Sequence, residues 1–549
     1  MKNSAFLFLL VLATTKLAAQ GTFSGDLMMN INSFQRDSNI KASGNQLYDN
    51  YLSGSEGWLG LRYNIKGFTF SLRADAFNNS NLKVPGAGST DFGIGAWSIS
   101  KETKDLSVTV GTIYDQVGSG ILFRSYEDRG LLIDNGLVGI GLKYKLTSKI
   151  TLKGFTGQQR NNSAILTNQA LHTPAYGPVI KGLNAEGDFS AGKVHIIPGV
   201  GFLNRTLDNG SYDAVKATVI SQYSTKDTNQ RFTPVYNMYA GCFYNTLTYK
   251  NFSWYIEGDY KSKEAILEDS IVNKPGNVEY TSINYGRKGI ALSLIGKRTQ
   301  DFVMYTSPNQ YGLNGRLNWQ PIVSVLRPER LISRYTPQSK DISEQAYSAN
   351  LILTPNDLSN FTFTYTHINT LDNADLYREV YAEGYYQGIK NFIIQVGAQY
   401  LEYNINLYQG GHTTAPIVYA VTPFTELTYR MNEKQSLRAE LQYMSTKQDY
   451  GSWGFVLLEY DMAPRWSIAV SDMYNLTINK NDDNPNFNDP GFLTKKANNY
   501  YNFYVAYSKG PNRFSLAYVK QVDGINCSGG VCRYEPAFSG IKATITSSF

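Results

Sequence analysis

Gly540-Ile-Lys-Ala-Thr-Ile-Thr-Ser-Ser-Phe549 ends the chain. Ile541, Ala543, Ile545 and Phe549 fall on one face of a period-2 strand. Lys542, Thr544, Thr546 and Ser548 fall on the other. An apolar row of this kind must leave water, either against a protein core or against lipid.

Upstream segments repeat the pattern as hairpins. Leu59/Leu61/Tyr63/Ile65 form an apolar row, Lys66-Gly67 turns the chain, and Phe68/Phe70/Leu72/Ala74/Ala76 form the next row. Similar pairs flank Lys250-Asn251, Lys390-Asn391, Asn432-Glu-Lys434 and Lys509-Gly-Pro511. Turns of two to four residues rich in Gly, Asn and Lys are hairpin turns. The hairpins are joined by longer connections, expected at 79–91, 116–135, 206–232, 264–276, 300–341 and 476–498. Short turns alternating with long loops are the mark of a transmembrane barrel. A soluble sandwich has no reason to sort its loops by parity.

The expected fold is all-β: a single transmembrane antiparallel up-and-down β-barrel of about 24 strands (range roughly 20–26), both chain ends on the periplasmic side. With strands ~4.8 Å apart and tilted ~40°, it would be roughly 45–50 Å across. The first strand, Thr22–Phe34, starts so early that no separate plug domain is expected. The lumen is then open, flattened, filled by infolded loops or filled by another protein.

Composition agrees. Of 549 residues, 42% are hydrophobic and 13% aromatic, with 41 Tyr. Tyrosine has an apolar body and a polar tip, which suits a membrane interface. A Tyr-rich soluble β-protein, such as a carbohydrate-binding sandwich array, is the competing reading of composition alone. Met1-Lys-Asn3, the apolar run Ala5–Ala13 and Leu17-Ala-Ala19 before Gln20 read as a signal peptide over 1–19, leaving a barrel over 20–549. No other run could cross a membrane as a helix. A net charge of +6 over this length argues against nucleic acid as a partner. Outer-membrane lipid is the expected surrounding. Cys527 and Cys532 bracket Ser-Gly-Gly-Val, and a small disulfide-closed loop on the outer surface is expected in an oxidising compartment. Cys242 is expected to be unpaired.

The faces opposite the apolar rows carry both signs of charge: Arg62, Arg73, Asp75, Glu257, Asp259, Lys261, Glu379, Glu383, Glu426, Arg430, Arg438, Glu440, Glu459 and Asp461. An Arg or Lys facing lipid at the midplane costs about 2–4 kcal/mol, so these residues are expected to line the lumen. They form either an ion-paired wall or a selectivity surface for a polar solute. Segment 116–135 carries Ile121, Leu122, Phe123, Leu131, Leu132 and Ile133, which an exposed loop does not need. It is expected to fold into the barrel, with Arg124, Glu127, Asp128, Arg129 and Asp134 pairing with lumen charges. Segment 319–341, with Pro321, Pro328 and Pro337, is a second constriction element, a partner-docking loop or an ordered surface loop. None of His172, His195, His367 and His412 has metal-ligand spacing, and no nucleophile accompanies them. No catalysis, cofactor or metal is expected, and Asn481-Asp-Asp-Asn-Pro485 is not an EF-hand.

Gly118-Ser-Gly-Ile-Leu122 with Ile133-Asp-Asn135, Asn318-Trp-Gln-Pro321 with Ser333-Arg-Tyr-Thr-Pro337, the block Leu441–Trp453, and Gly529-Gly-Val-Cys-Arg533 leading to Phe549 carry a resemblance. The chain resembles an uncharacterised family of Bacteroidota outer-membrane β-barrels, a domain of unknown function. Asn318-Trp-Gln-Pro321 departs from the expected Asn-Tyr-x-Pro. The resemblance implies fold and location, and no substrate. The functional expectation is a pore or passive transporter for small polar solutes. The alternative is an accessory or structural barrel subunit of an outer-membrane secretion or assembly complex, with a protein partner.

Overall fold

The computed structural model describes residues 21–159, 177–223, 229, 231–268, 270–310, 315–338, 342–409, 416–476, 498–528 and 531–549. The expected signal peptide, the acidic stretch at 481–485, His172 and His412 lie outside these residues.

One continuous antiparallel sheet contains 25 strand segments. Phe189–Ala191 prolongs Val179–Gly187, and both pair with Val194–Thr206, so the segments make 24 staves. Closure is made by the stretch that ends the chain. Gly540 to Ser548 pair with Phe34 to Asp26 on one side, and Phe538 to Thr546 pair with Gln521 to Arg513 on the other. The Phe549 N–H donates to the Gly25 carbonyl at 3.0 Å, and the Gly25 N–H donates back at 2.7 Å. A closed sheet leaves no unpaired edge, which a bilayer would not tolerate. Gly540 is required at the seam: its φ is +137°, and a Cβ there would lie 1.9 Å from the Ser33 carbonyl oxygen.

The apolar rows point outward and are exposed, as with Leu72, Phe243, Phe503 and Leu516. Aromatic residues gather at both rims of this band. Phe68, Tyr249, Phe392, Tyr429, Trp466, Tyr507 and Phe514 flank the short turns, and Phe392–Tyr429 and Trp466–Tyr507 sit with ring centroids 4.8 and 4.7 Å apart. Tyr239, Tyr347, Tyr400, Tyr419 and Tyr443 mark the other rim. Tyr419 and Tyr429 lie about ten residues apart on one stave, or roughly 25 Å after tilt, the height of a bilayer-facing band. No helix among the described residues is long and apolar enough to cross a membrane.

Short turns occupy one end and most long loops the other. Two expected loops are corrected. Residues 264–276 are mostly strand, because Phe252–Leu267 and Ile271–Arg287 run on past the band and are joined by a short turn. A register shift between Lys261 and Glu264 marks a bulge, and the extra residue reverses inside and outside. Segment 206–232 contains helix α1 (Asn209–Gln222), whose Asp208 side chain caps the Ser211 N–H. Its Val215 and Val219 pack on Ala265 and Ile271 of the prolonged staves.

Candidate functional site: the infolded segments of the lumen

Staves of a barrel satisfy their own backbones. An irregular segment placed inside cannot, and each of its buried N–H and C=O groups needs a partner. Two segments from the long-loop end meet this demand within the lumen. In 114–136, Val117, Ile121, Leu122 and Phe123 are buried against inward-facing Phe155, Ile180, Leu203, Met238 and Val278. In 301–338, Phe302, Met304 and Leu317 join that cluster, and Val323, Leu331 and Tyr335 join a second one with Leu376, Tyr403, Met444 and Trp453. The longer segment thus touches widely separated parts of the wall. The inner wall carries apolar patches beneath these segments and is not charged throughout.

The segments also bind each other. The Arg124 N–H donates to the Leu317 carbonyl and the Trp319 N–H to the Gly120 carbonyl, both at 3.0 Å. The Arg124 guanidinium lies 4.5 Å from the Tyr126 ring centre and 4.7 Å from that of Trp319. Wall cations take up orphaned carbonyls. Lys261 Nζ donates to Val303 O at 2.8 Å, Arg205 Nη1 to Tyr305 O at 3.1 Å, and Lys297 Nζ to Pro321 O at 3.0 Å. Glu264 balances the first two (2.8 Å to Lys261, 3.0 Å to Arg205), and Glu344 balances the third at 2.7 Å. Farther along, Arg327 stacks 3.6 Å from the Tyr381 ring centre and donates to Thr364 Oγ1 at 2.7 Å. The Leu331 N–H donates to Gln442 Oε1 at 2.7 Å, and Tyr335 Oη to Asp449 at 2.8 Å. Burial, with Glu383 and Glu440 nearby, pushes the Glu329 carboxyl above the usual carboxylate range, and its Oε2 has no hydrogen-bond partner.

Of the expected loop charges, Glu127 and Asp134 reach the wall at Arg73, at 3.0 and 2.6 Å. Arg129 reaches Asp26 at 3.0 Å. Among the described residues Arg124 and Asp128 pair with no wall charge: Arg124 stacks as described, and Asp128 accepts the Leu131 N–H at 3.0 Å. Their neighbours are aromatic faces and backbone, which satisfy them locally. Arg73 also chelates Asp75 at 2.7 and 3.0 Å. Beside this network lies a cavity of ≈ 420 Å³ lined by Asp26, Arg62, Arg73, Tyr114, Glu127 and Arg129.

On the opposite wall Arg438 bridges Glu426 and Glu459 at 2.8 Å and Glu440 at 3.3 Å. Glu379 is buried and accepts from Gln399 at 2.7 Å, and Glu383 accepts from Tyr381 Oη. Arg62, Arg430 and Asp461 form no ion pair among the described residues. Glu257 and Asp259 are buried where the 114–136 segment meets the wall. His195 pairs with Asp188 at 2.6 Å, and His367 lies between Tyr347 Oη at 2.6 Å and Asp375 at 3.0 Å. Cys527 and Cys532 stand directly opposite in the hairpin Gly524–Ser528/Val531–Glu535 at the long-loop end.

Sequence reading missed Asp26, Arg205, Glu264, Lys297 and Glu344. Arg205 and Lys297 each occupy the inward parity of their stave, so parity alone could have found them. Glu264 was hidden by the bulge.

Gly118 gives a direct check of the seating. Its φ is +58°, and a Cβ would lie 2.3 Å from Glu257 Oε1. Gly118→Ala should weaken the seat of 114–136 by about 1–3 kcal/mol through backbone strain and overpacking. Faster cleavage of that segment by added protease, in an intact barrel, is the expected result.

A family model described as "Family of unknown function (DUF6029)" matches residues 1–354 and 344–549. No curated protein matches the sequence. Among solved structures, the translocation pore of the P pilus usher PapC is similar at 10% identity, covering 96% of this chain and 99% of that one, with a TM-score of 0.46. The FrpB iron transporter of Neisseria meningitidis is similar at 8% identity, covering 97% and 84%, with a TM-score of 0.42. Pseudomonas aeruginosa OpdK, solved with vanillate, is similar at 10% identity, covering 82% and 98%, with a TM-score of 0.35.

Proposed function

We infer the function of this chain, which belongs to the DUF6029 family of unknown function, from its own inner wall. It is an outer-membrane β-barrel that passes small polar solutes, and its own infolded segments hold the lumen closed at rest. The chain ends and short turns face the periplasm, and the long loops face outward. The observation that carries this reading is the pair of stretches 301–310 and 315–338, seated inside the barrel by wall residues Lys261, Arg205, Lys297 and Gln442. Charges also remain elsewhere on the wall, with Arg62, Arg430 and the Arg438 network. A wall built only to be packed would have no use for unpaired charges, since a dry charge is costly. Solute passage requires 319–338 to move aside.

The test is conductance in a planar bilayer. Wild-type protein should show little steady current. A variant in which 318–338 is replaced by a short Gly/Ser linker should show a large, steady one. A variant that stays silent while remaining a folded barrel would sink the pore reading. The accessory reading, a barrel working with a protein partner in secretion or assembly, would then take its place.

The Cys527–Cys532 register supports a disulfide at the outer surface. An unreduced digest should contain the two cysteines in one cross-linked peptide. Recovery of both as free thiols after export would remove the bond.

A further inference from the structure

We propose that Cys242, Glu257 and Asp259 form a binding site for a divalent cation of the zinc class, inside the barrel, where it staples the 114–136 segment to the wall. Cys242 and Asp259 are directly opposite each other on adjacent staves, and Glu257 lies two residues from Asp259 on the same inward face. All three are buried, and one potential ligand atom from each lies within 4.8 Å of the others. Strand pairing therefore brings a thiol and two carboxylates to one point without any loop having to close.

The hydrogen-bond accounting points to a missing ligand. Asp259 is 4% exposed, and neither of its carboxylate oxygens has a partner. Glu257 Oε1 has none either. Glu257 Oε2 is held, accepting from the Ser119 N–H at 3.1 Å and from Tyr255 Oη at 2.7 Å. That is the usual division of labour in a metal-ligating carboxylate: one oxygen is oriented by outer hydrogen bonds and the other is free to coordinate. The nearest wall cation along the stave, Lys261, is committed to Glu264 and the Val303 carbonyl. No ion pair among the described residues neutralises Glu257 or Asp259. Two adjacent carboxylates walled in by Leu203, Met238, Ala240 and Val278 need a positive charge or protons.

The donor set selects the ion. Magnesium and calcium want oxygen alone, whereas a thiolate favours zinc and softer ions. Three protein ligands leave a fourth position for the second Asp259 oxygen or a water. Gly118 and Ser119 cover the site, so the ion is enclosed by the infolded segment and its role is structural. This assignment does not depend on the pore reading.

The experiment measures zinc in protein refolded with zinc ions and then dialysed, with cobalt ions as a coloured substitute. Wild type should retain about one ion per chain, and cobalt should give the charge-transfer absorption of a thiolate ligand. Cys242→Ser should abolish that absorption, and Cys242→Ser with Asp259→Asn should cut retained zinc at least about tenfold. Both changes are near-isosteric, and Asp259→Asn removes a buried charge, so the barrel should still form. Cys527→Ser with Cys532→Ser should retain zinc unchanged. Removing zinc from wild type should speed protease cleavage of 114–136. Wild type that retains no zinc would overturn the proposal and leave Glu257 and Asp259 as a proton-sharing pair. Undiminished zinc in the double variant would overturn it equally, by placing the metal elsewhere.

Discussion

Glu264→Ala should cost the folded barrel about 3–5 kcal/mol and unseat the 301–318 segment. Among the described residues Glu264 is the single counter-ion shared by Lys261 and Arg205, and all three side chains are at most 2% exposed. Solvent therefore screens none of the loss. Removing the carboxylate leaves two cations side by side with only the Val303 and Tyr305 carbonyls for company. Uncompensated buried charge is among the few defects that reach this size. Glu264→Gln retains hydrogen-bonding capacity but not charge, and should fall between wild type and alanine. Replacing Lys261 by methionine in the Glu264→Ala background should recover part of the loss, because one stranded cation is then gone. The readouts are the urea midpoint for refolding into detergent and the rate of protease cleavage within 301–318. A Glu264→Ala midpoint equal to that of wild type would show that the cluster does not hold the segment.

The same cluster shows what sequence reading can and cannot reach. The staves were legible because their cause is local: each residue of Phe68–Asn78 declares its side by alternation, and Lys66-Gly67 declares the turn. The stave count follows from that rule. Reading failed at 264–276 because the bulge after Lys261 breaks the alternation. It also missed α1, whose helical content is spread over a polar sequence with few buried residues.

Inside the lumen, the inward fold of 116–135 was legible from Ile121, Leu122 and Phe123, which have no place in water. Which wall charges that segment meets was not legible. Arg73 and Asp134 lie far apart in sequence, and only the closed barrel fixes their distance. The inward course of 319–338 was one of three readings left open. The residues that decide it, Gln442 and Trp453 on remote staves and Asp449 in the connection between them, are far away in sequence.

Arg73→Ala should be the second large defect, again about 3–5 kcal/mol, and it should release the other segment, 114–136. Arg73 is the hub of a buried network: it chelates Asp75 and reaches Glu127 and Asp134, so its removal takes the shared cation from three carboxylates, of which Glu127 keeps Arg129 at 2.7 Å. Tyr114 Oη, which donates to Asp134 at 2.9 Å, carries no charge to offset them. The wall has been shaped to admit this network. Gly95 lies at a register shift beside Arg73 and Ala74, and a Cβ there would sit 2.1 Å from an Asp75 oxygen. Arg73→Lys should recover little, because a lysine cannot hold Asp75 with two parallel bonds while reaching two further carboxylates. Asp75→Asn in the Arg73→Ala background should recover more, since it removes one of the carboxylates that Arg73 neutralises. Faster cleavage at 114–136 in Arg73→Ala, with cleavage at 301–318 less affected, would show that the two segments are anchored by separate clusters. Equal release of both would mean instead that the contacts at Leu317 and Trp319 bind them into one body, and that the barrel opens in a single step.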